Sequence, residues 1–197
     1  NCSTLRISGM TIRNFNTGIY VASSAWYVYT LYLDNSVIYN SSGSGIFIYR
    51  NTAYLNSVRL ARNGMSGIKT ERTNIHIYDS VIDSNVTGNS YGGGGALFYE
   101  SSATVKNTVF SNNYSTSSGG AITFYGGILE NVTLVNNQAS TGAGAIRTFG
   151  GLNLTNSIIA YNMGDYAIDS GNPYTIQYSN IYANENNNFR YNENDVL

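Results

Sequence analysis

The sequence predicts an all-β solenoid, a parallel β-helix of about eight coils that forms a single domain over residues 1–197. Three observations support this. A corner residue recurs every 22 to 28 residues, an apolar residue is followed three positions later by Asn, and a small residue precedes each short apolar segment. All three markers recur in the same order, as in solenoids. The assigned corner residues are Gly9, Asn35, Ser57, Asp79, Asn107, Asn131, Asn156 and Tyr178.

The clearest pair of coils lies in the middle of the chain. Residues 104–113 (TVKNTVFSNN) align without a gap with residues 128–137 (ILENVTLVNN), and Gly-Gly-Ala precedes each segment. Short alternations of apolar and polar residues predict strands, and Gly, Asn and Ser between them predict turns. Because one coil cannot bury its own apolar face, we expect the coils to stack at the strand spacing of about 4.8 Å.

The other coils follow this order with local variations. Residues 1–24 hold the first coil, and residues 25–34 add an aromatic segment with the only Trp. The fourth coil carries the longest connection, VTGNSYGGGG at 86–95, and the eighth ends in a polar segment at 185–197, which predicts one more strand or turn. A leucine-rich repeat, the main alternative, needs Leu-x-x-Leu-x-Leu spacing and a helical back face, and the sequence shows neither.

The alternation also predicts which side chains point into the helix. The predicted inward stacks are Ile19, Ile46, Ile68, Leu97, Ile122, Ile146 and Ile168 on one wall, and Val105, Leu129, Leu154 and Ile176 on another. The recurring Asn residues suit corners, since Asn tolerates left-handed backbone geometry. Their amides can also bond from coil to coil as a ladder.

Composition limits the classes of function. Charged residues make up 11% of the chain and the net charge is −1, so bulk charge predicts no binding to nucleic acid or to anionic membrane. No apolar run reaches about 18 residues, and we expect no membrane span. The lone Cys2 cannot form an intrachain disulfide. A polar surface built from Asn, Ser, Thr, Gly and Tyr favours an extracellular or cell-surface location.

Two motifs resemble those of a known family. Gly-Gly-Ala-Leu at 94–97, Gly-Gly-Ala-Ile at 119–122 and Phe-Ser-Asn-Asn at 110–113 resemble the GGAI and FxxN repeats of polymorphic outer-membrane-type surface proteins. More broadly, the chain resembles the right-handed parallel β-helix, pectate-lyase-like group. The resemblance implies a right-handed helix and either an adhesin-like surface protein or a polysaccharide-acting enzyme. It does not choose between them, because one fold hosts many functions.

One outward face is predicted to be a contact surface for glycan or protein. Six aromatic residues fall on it in the sequence alignment of the coils: Tyr20, Phe47, Tyr49, Phe98, Tyr125 and Phe149. Contiguous exposed aromatic strips mark contact surfaces, although cross-strand aromatic pairs that only stabilise a sheet give the same pattern. A slip of one residue in this alignment would turn the side chains inward.

The same alignment places Glu71 and Glu100 on successive coils, about 5 Å apart, with Lys69 beside them. Two close carboxylates suit a retaining glycosidase, so these three residues are the catalytic candidates of the enzyme alternative. A solvated carboxylate pair on an exposed sheet, whose repulsion Lys69 relieves, is the interpretation that the pattern favours. We expect no cofactor and no metal site, since His76 is the only histidine and Asp79 occupies a corner position.

Two further expectations concern modification and assembly. Asn40, Asn85 and Asn113 each begin an Asn-x-Ser/Thr sequence before a predicted turn, which makes them candidates for N-glycosylation. The first and last coils show strand patterns and no predicted cap, so their edges invite pairing with other subunits. Repeated head-to-tail contacts build open filaments. Two explanations of the uncapped ends stay open: the chain is a piece of a longer solenoid, or its ends stack on other subunits. In the second case we expect a homo-oligomer or homopolymer through the terminal coils, with glycans as further candidate ligands.

Overall fold

The computed structural model describes residues 4–24, 28–172 and 174–190, and within them it contains 27 β-strands and no helix. The first four coils hold β1 (Thr4–Ser8), β2 (Thr11–Arg13), β3 (Ile19–Ala22), β4 (Thr30–Asp34), β5 (Val37–Tyr39), β6 (Ile46–Tyr49), β7 (Thr52–Asn56), β8 (Arg59–Ala61), β9 (Ile68–Glu71), β10 (Asn74–Tyr78), β11 (Val81–Asp83), β12 (Val86–Thr87) and β13 (Ala96–Tyr99). The last four coils hold β14 (Ser102–Lys106), β15 (Val109–Ser111), β16 (Tyr114–Ser115), β17 (Ile122–Phe124), β18 (Gly127–Glu130), β19 (Thr133–Val135), β20 (Gln138–Ala139), β21 (Ala143–Thr148), β22 (Leu152–Thr155), β23 (Ile158–Ala160), β24 (Tyr166–Ser170), β25 (Tyr174–Gln177), β26 (Asn180–Tyr182) and β27 (Asn187–Arg190).

Each coil contributes one strand to each of three eight-stranded parallel sheets. Sheet A has the order β1-β4-β7-β10-β14-β18-β22-β25, and sheet B has the order β2-β5-β8-β11-β15-β19-β23-β26. Sheet C has the order β3-β6-β9-β13-β17-β21-β24-β27, and β12, β16 and β20 form a short sheet D in the three central coils. This topology confirms the all-β parallel solenoid of about eight coils that the repeat predicts.

The corner between sheets A and B is left-handed in every coil. All eight predicted corner residues have φ between +48° and +68°. Asn accommodates this geometry better than most residues because its short polar side chain bonds locally. A second left-handed corner follows sheet B, at Asn14, Asn40, Arg62, Ser84, Asn112, Asn136, Tyr161 and Ala183.

The core fills the space between the three sheets. The observed register stacks Ile19, Ile46, Ile68, Ala96, Ile122, Ile146 and Ile168 on the wall of sheet C. The prediction of Leu97 in this stack is wrong, because Ala96 occupies the inward position and Leu97 faces the other side of the sheet. The wall of sheet A contains the predicted stack of Val105, Leu129, Leu154 and Ile176 in register.

A ladder of buried asparagines runs beside this core. Its members are Asn63, Asn85, Asn113, Asn137, Asn162 and Asn184. Each Nδ2 donates to the Oδ1 of the next member at 2.9–3.0 Å. The same Oδ1 accepts the backbone N–H of the preceding member at 3.0 Å. This buried ladder satisfies polar groups that burial would otherwise leave unpaired. The ladder predicted from the sequence concerns the corners between sheets A and B instead. There, Asn131 Nδ2 donates to Oδ1 of Asn107 at 3.1 Å, and Asn107 Nδ2 donates to Oδ1 of Asp79 at 3.0 Å.

The ladder corrects two of the three glycosylation candidates. Asn85 is 0% exposed and Asn113 is 1% exposed, and both amides are bonded inside the ladder. Their predicted accessibility before turns is wrong, since these side chains point into the helix. Asn40 lies at an exposed left-handed corner with φ +55°, and its glycosylation stays a prediction.

A few predicted features fall outside the described residues. They are Cys2, residues 25–27 of the aromatic segment at 25–34, and residues 191–197. Within the predicted polar segment at 185–197, residues 187–190 form β27, which pairs with β24 in sheet C.

Candidate functional site

The outer face of sheet C carries two rows of side chains that run from coil to coil. The first row contains Tyr20, Phe47, Lys69, Leu97, Thr123, Arg147 and Asp169. The second row contains Ala22, Tyr49, Glu71 and Tyr99, and it continues to Tyr125 and Phe149 directly after β17 and β21. Five of the six aromatic residues predicted for the contact surface lie in these rows.

The predicted outward position of Phe98 is wrong. Phe98 pairs with Thr70 and Phe124 and is 0% exposed, so its ring belongs to the core. Tyr99 takes the outward position in its place. The sequence alignment missed Tyr99 because it slipped by one residue in the fourth coil.

The slip originates in the run of four glycines at 92–95. Such a run allows two alignments with the Gly-Gly-Ala segment of the next coil. In the structure, Gly93 and Gly119 are equivalent, with φ +76° and +69°. Both positions favour Gly because a side chain there would be strained. Counting back eight residues from the corners Asp79 and Asn107 gives Glu71 and Tyr99, and this count would have given the observed register.

The predicted pairing of Glu71 with Glu100 is also wrong. The register pairs Glu71 with Tyr99. Glu100 lies at a left-handed corner with φ +45°, where its Oε2 accepts a hydrogen bond from Arg72 Nε at 2.7 Å. The two carboxylates therefore do not face each other across neighbouring strands. Lys69 does lie beside Glu71, with Nζ 3.0 Å from Oε1.

Six aromatic residues of the two rows form what we call the aromatic strip: Tyr20, Phe47, Tyr49, Tyr99, Tyr125 and Phe149. Tyr20 stacks on Phe47 with ring centroids 5.2 Å apart. Tyr99 and Tyr125 meet edge to face at 5.1 Å, and Tyr125 and Phe149 are tilted by 39° at the same distance. In edge-to-face pairs, at least one ring keeps a face that its partner does not cover.

A cleft of about 520 Å³ opens beside the strip in the fourth coil. The long connection between β12 and β13 forms one wall with Asn89, Ser90 and Tyr91, and the outer face of sheet C forms the floor. The lining residues on that face are Lys69, Glu71, Leu97 and Tyr99. Leu97 is only 1% exposed although it faces outward, because this connection covers it. The cleft is of the size that proteins use for small ligands.

The polar groups of the cleft bond to one another. Lys69 is paired with Glu71, and its Nζ also lies 5.3 Å from the ring centroid of Phe47. The hydrogen bond between Tyr91 and Tyr99 raises the pKa of Tyr91 above its usual value. The cleft thus offers one ion pair, tyrosine rings and hydroxyls, and the side chains of Asn89 and Ser90.

Sheet A carries a different aromatic array on its outer face. Tyr32 stacks on Tyr54 at 5.0 Å, and Tyr54 stacks on His76 at 4.7 Å, with rings within 11° of parallel. The guanidinium of Arg6 caps Tyr32 at 3.9 Å, and burial lowers the pKa of His76. Because each ring covers the face of the next, this array stabilises the sheet and leaves mainly ring edges for a ligand.

The described residues contain neither a metal-binding cluster nor a membrane-spanning helix. They contain no group of three or more His, Cys, Asp or Glu side chains arranged to hold a metal ion. No helix in the same part of the chain is long and apolar enough to cross a membrane.

Comparison with known proteins gives one match. A family model described as a right-handed β-helix region matches residues 1–148. No curated protein and no solved structure matches the chain.

Proposed function

The chain belongs to the family of proteins with a right-handed β-helix region, and we propose that it is a surface protein that holds polysaccharide along sheet C without cleaving it. The family covers both structural or adhesive proteins and polysaccharide-acting proteins, so the choice rests on the site. The observation that carries it is the aromatic strip beside the cleft, where Tyr99 packs edge to face against both Tyr91 and Tyr125.

The geometry of the strip suits a long, neutral ligand. Along the helix axis its aromatic side chains form two groups with centroid distances of 5.1–5.2 Å, Tyr20 with Phe47 and Tyr99 with Tyr125 and Phe149. Lys69 and Glu71 of the third coil lie between the two groups. Sugar rings present apolar C–H faces that pack on aromatic rings, and their hydroxyls bond to amides and tyrosines at the edges. The cleft supplies such groups in Asn89, Ser90 and Tyr91. A mixed apolar and polar surface of this kind is typical of ligand sites.

The carboxylates support adhesion over hydrolysis. Glycosidases use two carboxyl groups about 5 to 9.5 Å apart, on either side of the scissile bond. Among the described residues that line the cleft, Glu71 is the one carboxylate, and it is paired with Lys69. The second predicted carboxylate, Glu100, is engaged by Arg72 at the neighbouring corner.

A binding experiment tests the proposal. Wild type is measured against immobilised neutral polysaccharides, including β-glucan, xylan, mannan and galactan, with Tyr99→Ala as the site variant. We expect Tyr99→Ala to weaken binding about tenfold, the loss typical of an aromatic anchor. Tyr161→Ala is the matched control, because Tyr161 is 53% exposed and contacts another ring, that of Tyr182, on a different side. Equal losses in both variants, or no binding by wild type, would contradict the proposal.

One observation favours the alternative of a polysaccharide-acting enzyme. Lys69, Glu71 and Tyr91 line one cleft, where a base and an acid could act on a bound chain. Incubation with the same polysaccharides and analysis of released oligosaccharides distinguishes the two functions. If wild type releases oligosaccharides, and Glu71→Gln abolishes this release but still binds the polysaccharide, the protein is an enzyme. Glu100→Gln tests the other candidate in the same assay.

We further propose that the protein works outside the cell and assembles end to end. Among the described residues, the strands of the first and eighth coils pair on one side only, and unpaired strand edges invite another chain. Light scattering and electron microscopy over a range of protein concentrations test this. Filaments whose axial repeat matches the length of the eight stacked coils would support end-to-end assembly. A strictly monomeric protein at high concentration would exclude this assembly for this chain.

A further inference from the structure

Positive charge is concentrated in the first three coils. Residues 1–73 contain seven of the ten Lys and Arg residues and two of the eleven Asp and Glu residues. The remaining residues contain three cations and nine carboxylates. The net charge of −1 therefore conceals a basic part and an acidic part along the helix axis. Such segregation creates local potentials that attract ions of the opposite sign.

The cations of the basic part divide into two groups. Arg59, Lys69 and Arg72 form ion pairs with carboxylates at 2.7–3.0 Å. Within the described residues, no ion pair joins a carboxylate to any of the other four: Arg6, Arg13, Arg50 and Arg62. The uncompensated charge of these coils is therefore carried by arginines.

Two of these arginines converge on one tyrosine. Arg13 and Tyr39 are paired neighbours on the outer face of sheet B, and Arg13 Nη1 donates to the hydroxyl of Tyr39 at 3.2 Å. Arg62, one coil further, places its Cζ 5.7 Å from the ring centroid of Tyr39. Its Nε donates to Oδ1 of Asn40 at 3.2 Å, which holds the guanidinium in place. Arg13 and Arg62 are both exposed.

The free groups of this cluster are all hydrogen-bond donors. The Tyr39 oxygen accepts from Arg13, so its own O–H proton is available to a ligand. The terminal nitrogens of Arg62 are available as well, since its Nε makes the bond to Asn40. Guanidinium groups match the geometry of oxyanions and bind them through paired N–H donors.

Arg62 departs from the residue that most often holds its corner. It occupies the left-handed corner after sheet B with φ +52°. Asn holds the same corner in four of the other coils: Asn14, Asn40, Asn112 and Asn136. A long side chain at this backbone geometry costs about 1 kcal/mol relative to Asn or Gly. Ser84, Tyr161 and Ala183 hold the corner in the remaining coils, so the site rests on the contacts of Arg62 with Tyr39 and Asn40 and not on its backbone.

We propose that Arg13, Tyr39 and Arg62 form a binding site for the sulfate or phosphate ester groups of an anionic polysaccharide. The site lies on sheet B and is independent of the aromatic strip and of the function proposed for it. A single oxyanion gains little at an exposed site, because water and salt screen the charges. Repeated anionic groups on one polymer compensate by raising the local concentration of the ligand.

The acidic part of a second copy is a weaker candidate ligand. Of its carboxylates, Asp83, Glu100 and Glu130 are already in ion pairs. Asp165 accepts a hydrogen bond from the backbone of Gly142 at 2.7 Å. These acids are engaged within their own chain, whereas a polymer brings free oxyanions.

Binding to dextran sulfate and to uncharged dextran tests the proposal. We expect wild type to bind dextran sulfate and not dextran, and added inorganic sulfate or phosphate at high concentration to compete. Arg13→Gln and Arg62→Asn should each weaken binding about tenfold, the loss expected for hydrogen bonds to charged groups. Asn is the residue that other coils carry at this corner, so Arg62→Asn should fold normally.

The control is Arg6→Gln, which removes the same charge from the first coil but on sheet A, where Arg6 caps Tyr32. Equal weakening by Arg6→Gln and Arg62→Asn would overturn the site in favour of diffuse attraction. Binding to duplex DNA as tight as to dextran sulfate would overturn the assignment to a glycan. If wild type does not bind dextran sulfate and Arg13→Gln loses self-association, the cluster binds a second copy of the chain, and the proposal is overturned. Tyr99→Ala should leave dextran sulfate binding unchanged, which separates this site from the aromatic strip.

Discussion

Truncation of one asparagine in the buried ladder should destabilise the whole solenoid. Asn113 is the most informative position, because its amide joins three coils. Its Oδ1 accepts the backbone N–H and the Nδ2 of Asn85, both at 3.0 Å. Its Nδ2 donates to the carbonyl of Ile82 and to Oδ1 of Asn137, both at 2.9 Å. Asn113→Ala removes all four bonds.

The magnitude follows from the groups that lose their partners. The backbone N–H of Asn85 loses its bond to the Asn113 side chain, and Asn85 Nδ2 retains only its bond to the carbonyl of Leu60. Each buried donor left unpaired costs about 1–3 kcal/mol, and each lost neutral hydrogen bond costs about 1 kcal/mol. We therefore expect Asn113→Ala to lower the free energy of unfolding by about 3–5 kcal/mol.

Urea unfolding followed by circular dichroism measures this loss. Asn153→Ala is the matched control, since it makes the same chemical change at an exposed position of β22. The control should change the free energy of unfolding by less than about 0.5 kcal/mol. If Asn113→Ala costs no more than Asn153→Ala, the ladder does not stabilise the fold and the reasoning is refuted.

Three further predictions test the core, the register and the pH dependence. Ser41 occupies the ladder position of the second coil, where its N–H donates to Asn63 and its buried Oγ has no partner among the described residues. Ser41→Asn should therefore extend the ladder and raise stability by about 1 kcal/mol in the same urea assay, and a loss of stability would contradict the geometry. Phe98→Ala should cost about 3–5 kcal/mol and Tyr99→Ala about 1–2 kcal/mol; the reverse order would restore the register expected from sequence. Burial lowers the pKa of His76, so the folded protein binds that proton less readily than the unfolded chain does. Its stabilising contribution is present above about pH 6.5 and is lost as the pH falls below it. Melting temperatures of His76→Gln should therefore decline less than those of wild type over this range, and parallel declines would exclude the effect.

Most of the fold could be predicted because each coil repeats the same local constraints. All eight corner residues were identified, since a left-handed residue between two short strands leaves a mark at every repeat. The side chains at these corners differ, as Asp79 and Tyr178 show, and yet the φ values of the two residues agree within a few degrees. The position in the coil therefore determines the backbone conformation, and the residue type determines the free-energy cost of adopting it.

The fourth coil is where prediction from sequence failed, for a physical reason. Glycines at 92–95 carry no side chain, so no inward or outward pattern marks their register. An error of one residue moved Phe98 and Glu100 to the outer face and hid Tyr99. The accessibility of Asn85 and Asn113 was wrong for another reason. A turn follows each of them, but the amide ladder needs their side chains inside.

The candidate sites coincide with departures from the repeat. The long fourth coil carries the connection whose Tyr91 closes the cleft over sheet C. At the corner after sheet B, Arg62 stands where four other coils carry Asn, and it brings a guanidinium to Tyr39. The regular parts of a solenoid are constrained by stacking, since each coil must match the next. A departure from the repeat does not by itself mark a ligand site, since Tyr161 also departs from it and packs on Tyr182 of the next coil. The cleft and the arginine cluster differ because each groups several polar or charged side chains at the surface. They are therefore where ligands should be sought first.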